Sequence, residues 1–156
     1  MIKILGDFET MLQSFPLIQQ LNPKMTMVRY TTLLRAIVDQ GGYFQIGYYD
    51  RDKLVGLTGI WIGTKLWCGR YLEVDNFVVD QTCRGKGVGS KLLGWAKQFA
   101  KKEKCEMIGL DSYVTAEGAH RFYFPGGFKV EGFHMTKRYT EKANMDVLLK
   151  AGPLVL

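Results

Sequence analysis

The stretch Glu73 to Ser90, EVDNFVVDQTCRGKGVGS, decides how this chain is read. Its first half is rich in β-branched and aromatic residues, as a strand requires, and its second half is a glycine-dense loop. From Gly87 to Lys102, Val88, Leu92, Trp95, Ala96 and Phe99 fall on one helical face, with Lys91, Lys97, Gln98 and Lys101 elsewhere. A strand that passes through glycines into a helix is suited to phosphate. The glycines let the backbone approach an anion, the first-turn N–H groups point at it, and the helix dipole adds positive potential. Arg84 and Lys86 add charge-assisted donors. Two other phosphate loops are excluded by spacing: the Walker pattern meets Asp80 and Gly87 where it needs Gly and Ser or Thr, and the dinucleotide fingerprint meets Ser90 where it needs a third glycine.

Working outward, Tyr43 to Tyr49 and Leu54 to Ile62 read as an antiparallel hairpin around the turn Asp50-Arg51-Asp52-Lys53, with a further turn at Gly63-Thr64-Lys65 before the strand Tyr71 to Val79. Upstream, a short strand at Ile2 to Leu5 precedes a helix over Phe8 to Leu21, stopped by Asn22-Pro23. A second, amphipathic helix over Thr26 to Asp39 ends at Gln40-Gly41-Gly42. Downstream come a strand over Met107 to Tyr113, a short helix over Ala116 to Phe124 stopped by Pro125-Gly126-Gly127, and one or two closing strands over Phe128 to Lys137. The expected fold class is α/β: a single domain with a mixed, mostly antiparallel central sheet and helices on both faces.

With 156 residues, 47% apolar and 23% charged, the chain has the size and composition of one folded domain rather than a disordered one. The N-terminus carries an acid at Asp7 and no continuous apolar core, and the apolar tail from Asp146 to Leu156 is short and broken by Lys150 and Pro153, so an intracellular, cytoplasmic protein with no membrane partner is expected. That tail is suited to pack on its own domain or against a second copy in a homodimer. Cys68, Cys83 and Cys105 fit neither a disulfide framework nor a metal site, so three reduced thiols and no metal are expected; Cys83 lies next to the basic loop, where a thiol pKa is open to being lowered. The net charge of +6 favours anionic partners, but basic clusters interleaved with aromatics are too few for a nucleic-acid surface. Lys101-Lys102-Glu103-Lys104 reads as a helix terminus where cations meet the dipole.

A second motif joins the loop. Arg84-Gly85-Lys86-Gly87-Val88-Gly89 is followed, further along, by Ala119-His-Arg-Phe122-Tyr123-Phe-Pro-Gly-Gly127-Phe128. With both in this order, the region from Leu54 to about Lys137 resembles the GNAT superfamily of acyl-coenzyme A dependent N-acetyltransferases. The resemblance implies one N-acetyltransferase domain over 1–156: a helical acceptor-side region 1–42, a sheet and cofactor-binding region 43–140, and a tail 141–156. It implies acetyl-CoA as co-substrate, bound by main-chain groups of Phe77, Val78 and Val79 and wrapped at its pyrophosphate by Arg84, Gly85, Lys86, Gly87, Val88, Gly89 and Ser90. Ala116 stands where many relatives carry Asn and Gln81 where Pro is common, which removes one side-chain contact but not backbone binding. The first fifty residues match only in having two helices, so the small-molecule or peptide amine acceptor is not legible.

Acetyl transfer to an amine sets its own requirements. A lysine-like amine with a pKa of ~10.4 is neutral in roughly 0.0004 of molecules at pH 7, so a base must remove a proton. Strand alternation places Glu73, Asp75, Phe77 and Val79 on one side and Leu72, Val74, Asn76 and Val78 on the other, with a bulge implied by the family able to change that. Asp75 and Glu73 are the candidate bases, and a solvated strand end is an equally good reading of the pair. The family pattern makes Tyr123 the donor to the departing thiolate; outside that pattern it reads as a core aromatic. His120 is at best an alternative acid or base, and His134 a surface group. The function expected is direct attack of a primary amine on acetyl-CoA in a ternary complex; the rival is a non-catalytic acyl-CoA sensor module.

Overall fold

The computed structural model describes residues 1–137 and Tyr139. Its contacts gather into two units, Met1–Leu110 and the chain from Asp111 onward, which are taken one at a time.

The first unit is built on a five-stranded sheet of sequential order, β1 (Ile2–Leu5), β2 (Tyr43–Asp50), β3 (Lys53–Lys65), β4 (Gly69–Val79) and β5 (Met107–Leu110). The first four strands are antiparallel neighbours, and β5 runs parallel to β4. That parallel pairing follows from the crossover through α4 (Val88–Lys102), since a strand can return in the same direction only by way of such a connection. The sheet residues alternate between two apolar clusters. On one face, Leu57 and Val78 pack with Met11, Leu17, Ile18, Tyr30 and Leu34 from α1 (Phe8–Leu12), α2 (Phe15–Leu21) and α3 (Met27–Gln40). On the other, Ile46, Ile60, Leu72 and Val74 pack with Val88, Leu92 and Ala96 of α4. The expected stripe of α4 is therefore the buried one, with Trp95 stacked on Phe99 at 4.9 Å. The helix ends at Lys102, with Lys101 and Lys102 in its last turn where the dipole favours cations.

Three local expectations in this unit are corrected. The helix over Phe8 to Leu21 is two helices, because Pro16 has no N–H and its ring crowds the carbonyl one turn back. Ser14 fills the break, its Oγ donating to the Met11 carbonyl at 2.8 Å. The turn expected at Gly63-Thr64-Lys65 is strand: Gly63 pairs with Tyr71 and Lys65 with Gly69, so the loop is Leu66 to Cys68, closed by Gly69 at φ 68°. The strand expected over Met107 to Tyr113 stops at Leu110, just before the polar pair Asp111-Ser112.

In the second unit, α5 (Glu117–Tyr123) runs into a 3₁₀ turn at Phe124–Gly126, and Gly127 ends it in the left-handed region. The strands expected over Phe128 to Lys137 are absent from the described residues. A strand exists by pairing, and here Gly132 interrupts a segment in which Val130, Phe133 and Met135 are exposed rather than packed. The tail 141–156 lies outside the described residues.

Candidate active site

The glycine loop begins with a built turn. Asp80 accepts from the Thr82 N–H at 2.9 Å and from the Thr82 hydroxyl at 2.6 Å, and Lys53 lies 3.3 Å from its other oxygen. The Thr82 donors, with Lys53 behind them, hold the Asp80 carboxyl at a pKa of about 2. The chain then crosses Gln81–Cys83 as a 3₁₀ turn and enters Gly85 and Gly87, at φ 74° and 78°. Only glycine adopts that left-handed backbone freely, and a Cβ added at either position would meet nothing within 4 Å. Open space therefore lies beside the loop. Gly87 caps α4 without a side-chain bond, so the N–H groups of the first turn of α4 are left for a ligand. Arg84 and Lys86 are tethered to the loop itself, Nε to the Val79 carbonyl at 3.2 Å and Nζ to the Thr82 carbonyl at 3.0 Å. Both cations thus lie close to the glycines.

Because Asp80 opens this loop, its titration affects stability. The folded carboxyl is held at about 2, against ~3.9 in an unfolded chain, so its contribution is present above pH ~4 and is lost as pH falls through about 2. We expect thermal melting to show this loss in the wild type and to show a smaller acid-induced drop in Asp80→Ala.

Beside the loop, β4 loses a neighbour. Its parallel pairing with β5 runs from Tyr71↔Met107 to Val74↔Leu110, while β4 continues to Val79. On the other edge the Asp80 N–H donates to the Val55 carbonyl at 2.9 Å, which makes Gly56 and Val79 a non-hydrogen-bonded pair. The N–H of Val79 is consequently directed away from β3, toward the edge that β5 has left. A β5 that continued alongside would supply the partner on that edge, and here the group is positioned to pair with an extended ligand.

Between Leu57↔Val78 and Gly59↔Asp75, β4 has one more residue than β3, and Asn76 takes a φ of 49°. This bulge corrects the simple alternation. Phe77 and Val79 face the α4 side, with Leu72 and Val74. Glu73 and Asp75 lie on the opposite face, that of α1 to α3. The Thr58 hydroxyl lies 2.9 Å from the Asp75 carbonyl and braces the irregular turn of backbone.

Register then brings together residues that sequence reading did not connect. Trp61 of β3 is opposite both Tyr43 and Glu73, and Gly59 is opposite both Gln45 and Asp75. The Tyr43 and Trp61 rings are 4.8 Å apart. Burial pushes the Tyr43 phenol up, and the nearby Asp75 charge adds to the shift. Behind Tyr43, the Gln45 amide nitrogen lies 3.2 Å from the phenols of both Tyr43 and Tyr30, and Gln45 Oε1 lies 3.0 Å from the Ser14 hydroxyl. The sequence favours Tyr43 as strand core over a stacking platform. The signal that identifies it is its rank opposite Trp61, available once the three strands are aligned.

In the second unit, Tyr123 is 8% exposed and packs edge-on to Phe122 and Phe128 at 5.1 and 5.6 Å. Burial raises its phenol to about 12, so it is protonated at neutral pH. His120 stacks on Phe124 at 5.6 Å, and exposed His134 meets Asp111 at 2.8 Å. Cys68, Cys83 and Cys105 are free thiols, and burial raises that of Cys105. Among the described residues no helix is long and apolar enough to cross a membrane.

Comparison with known proteins places this geometry. Over 137 residues the chain is 28% identical to an uncharacterized N-acetyltransferase, YhdJ, of Bacillus subtilis, covering 87% of this chain and 96% of that one. It is 37% identical over 71 residues to an aminoalkylphosphonate N-acetyltransferase of Salmonella typhimurium, covering 46% of this chain and 44% of that one. Among solved structures, a putative acetyltransferase from Agrobacterium tumefaciens superposes with a TM-score of 0.75 at 21% identity, over 88% of this chain and 99% of that one. Residues 10–126, which contain both the loop and the Tyr123 motif, match the Acetyltransferase (GNAT) family model. The chain therefore belongs to the GNAT family and is an acetyltransferase, of a family that takes its acetyl group from acetyl-CoA.

Proposed function

We propose that this enzyme moves the acetyl group of acetyl-CoA directly to a primary amine, both substrates being bound at once. The observation that carries the reading is the continuity of two features along one stretch of chain: the unpaired edge of β4 at Val79 and, a few residues on, the glycine loop at the start of α4. A ligand with an extended, amide-bearing arm and a pyrophosphate fits both together. The loop Arg84 to Ser90 takes the pyrophosphate, and the main chain of Phe77, Val78 and Val79 takes the arm and the thioester. The Val79 N–H then meets the oxyanion as the carbonyl becomes tetrahedral. The family match crosses from residue 10 to residue 126, which supports one functional domain with 1–42 on the acceptor side and 43–140 for sheet and cofactor. A cytoplasmic site of action fits the supply of acetyl-CoA.

In this reading Asp75 takes the proton from the amine, directly or through water, because it adjoins the bulge and lies on the face opposite Phe77 and Val79. Glu73 is the second candidate. Tyr123 returns a proton to the coenzyme A thiolate as the carbon–sulfur bond breaks. The aminoalkylphosphonate named for the Salmonella relative suits a small primary amine as acceptor. The test of the base is the pH–rate profile of Asp75→Asn: kcat/KM should fall by ~10²-fold or more at neutral pH and recover toward wild type as rising pH deprotonates the amine itself. An unchanged profile would move the base elsewhere.

A further inference from the structure

On the face of the sheet that carries Glu73 and Asp75, a pocket of about 390 Å³ is lined by Gln40, Gly41, Trp61, Gly63, Tyr71 and Glu73, with Ile62 alongside. Its walls are two aromatic rings and one carboxylate. A Cβ at Gly63 would come within 2.9 Å of the Tyr71 ring, so a side chain there would displace that ring. Two of these lining residues, Tyr71 and Glu73, already meet a cation of this chain. The Lys65 ammonium lies 4.3 Å from the Tyr71 ring centroid and 3.9 Å from Glu73 Oε2. A primary ammonium is thus already held by a ring face and a carboxylate, the two groups that recognise such a cation.

The hold on Lys65 is weak. Its side chain is 44% exposed and that of Glu73 34%, and ion pairs at such exposure are worth little against a competing cation. From Glu73 along β4 to Phe77 is four residues, or roughly 10–13 Å at the strand rise, less what the bulge takes up.

We propose that Trp61, Tyr71 and Glu73 form a distal ammonium subsite, and that the acceptor is a chain with two amines, one seated here in place of Lys65 while the other is acetylated. This rests on the reading of Phe77 to Val79 as the thioester site, and it separates the two carboxylates: Glu73 anchors the far amine and Asp75 serves the reacting one. The acceptor class is a linear diamine or polyamine with its terminal nitrogens ~11 Å apart, to match the strand span. The overall positive charge does not oppose this, since Glu73 and Asp75 act within a Debye length.

The experiment compares octamethylenediamine with octylamine, equal in carbon chain and differing in the second ammonium. Calorimetric titration of the diamine is run with and without acetyl-CoA, beside a separate titration of acetyl-CoA. The wild type is expected to bind the diamine at least ~10-fold more tightly than the monoamine. Glu73→Gln should raise KM for the diamine by ~10-fold while KM for octylamine stays the same, and any change in kcat should be equal for the two amines. Lys65→Met should tighten diamine binding, since the competing ammonium is gone. Equal affinity for diamine and monoamine, or a fall in kcat with unchanged KM in Glu73→Gln, overturns the subsite. Failure of acetyl-CoA to bind while the diamine still does would instead overturn the cofactor reading and leave the ammonium pocket standing.

Discussion

Gly87→Leu is expected to abolish measurable acetyl-CoA binding while the protein stays folded. At φ 78° the position lies in the left-handed region, where an L side chain costs ~1–2 kcal/mol, enough to lower Tm by several degrees but not to unfold a domain of this size. The larger effect is at the ligand. Nothing lies within 4 Å of a Cβ here, so an isobutyl group projects unhindered into the space in front of the α4 N-terminus. A pyrophosphate held by the first-turn N–H groups would compete for that space. A loss of ~100-fold or more in affinity, about 2.7 kcal/mol, is expected by calorimetry. Gly87→Ala should lose less, since a methyl group carries the same backbone strain with little bulk. A folded Leu variant with wild-type affinity would show that the pyrophosphate binds elsewhere.

Tyr123→Phe should leave acetyl-CoA affinity near wild type and lower turnover by ~10²-fold or more. The ring contacts with Phe122 and Phe128 survive the change and only the hydroxyl is lost. Burial sets the character of this acid. With the phenol at about 12 and a thiol near ~8.5, full transfer to a free thiolate is uphill by about 5 kcal/mol. In the proposed role Tyr123 would therefore pass its proton as the carbon–sulfur bond breaks, where the sulfur is most basic, and solvent would restore it afterwards. The same raised value means that Tyr123 does not ionise between pH 6 and 9, so any limb of the rate profile in that window belongs to another group. Full turnover in the Phe variant, measured where chemistry limits the rate, would return Tyr123 to the aromatic core.

What the sequence made legible follows from the range of its signals. The α4 stripe, the hairpin around Asp50 to Lys53 and the glycine loop before α4 are local patterns of a few residues, and each lies where periodicity and glycine spacing put it. The break at Ser14 was less visible because Phe8 to Leu21 is apolar on both sides of it, and the deciding residue, Pro16, sits in the first turn of the second helix, where proline is tolerated. Strand ends were misplaced where pairing overrides composition: β3 continues through Gly63 because Tyr71 lies opposite it. The bulge at Asn76 has no composition signal in one sequence, and it alone decides that Phe77 and Val79 face away from Asp75. For the same reason the wall of Tyr43, Trp61, Tyr71 and Glu73 was hidden. It is assembled from three strands, and no window of sequence contains it.

If acetyl-CoA is consumed by transfer to an amine, a paired count of products will show it. Free thiol released from acetyl-CoA and N-acetylated amine should be measured in one reaction, over a panel that runs from aminoalkylphosphonates to diamines and peptide N-termini. At least one amine should yield thiol and N-acetyl product one for one, with thiol release falling to background when the amine is omitted and in Gly87→Leu. Tight acetyl-CoA binding with no amine-dependent thiol release anywhere in the panel would contradict that transfer, and would make the chain a binding module that retains the loop without the reaction.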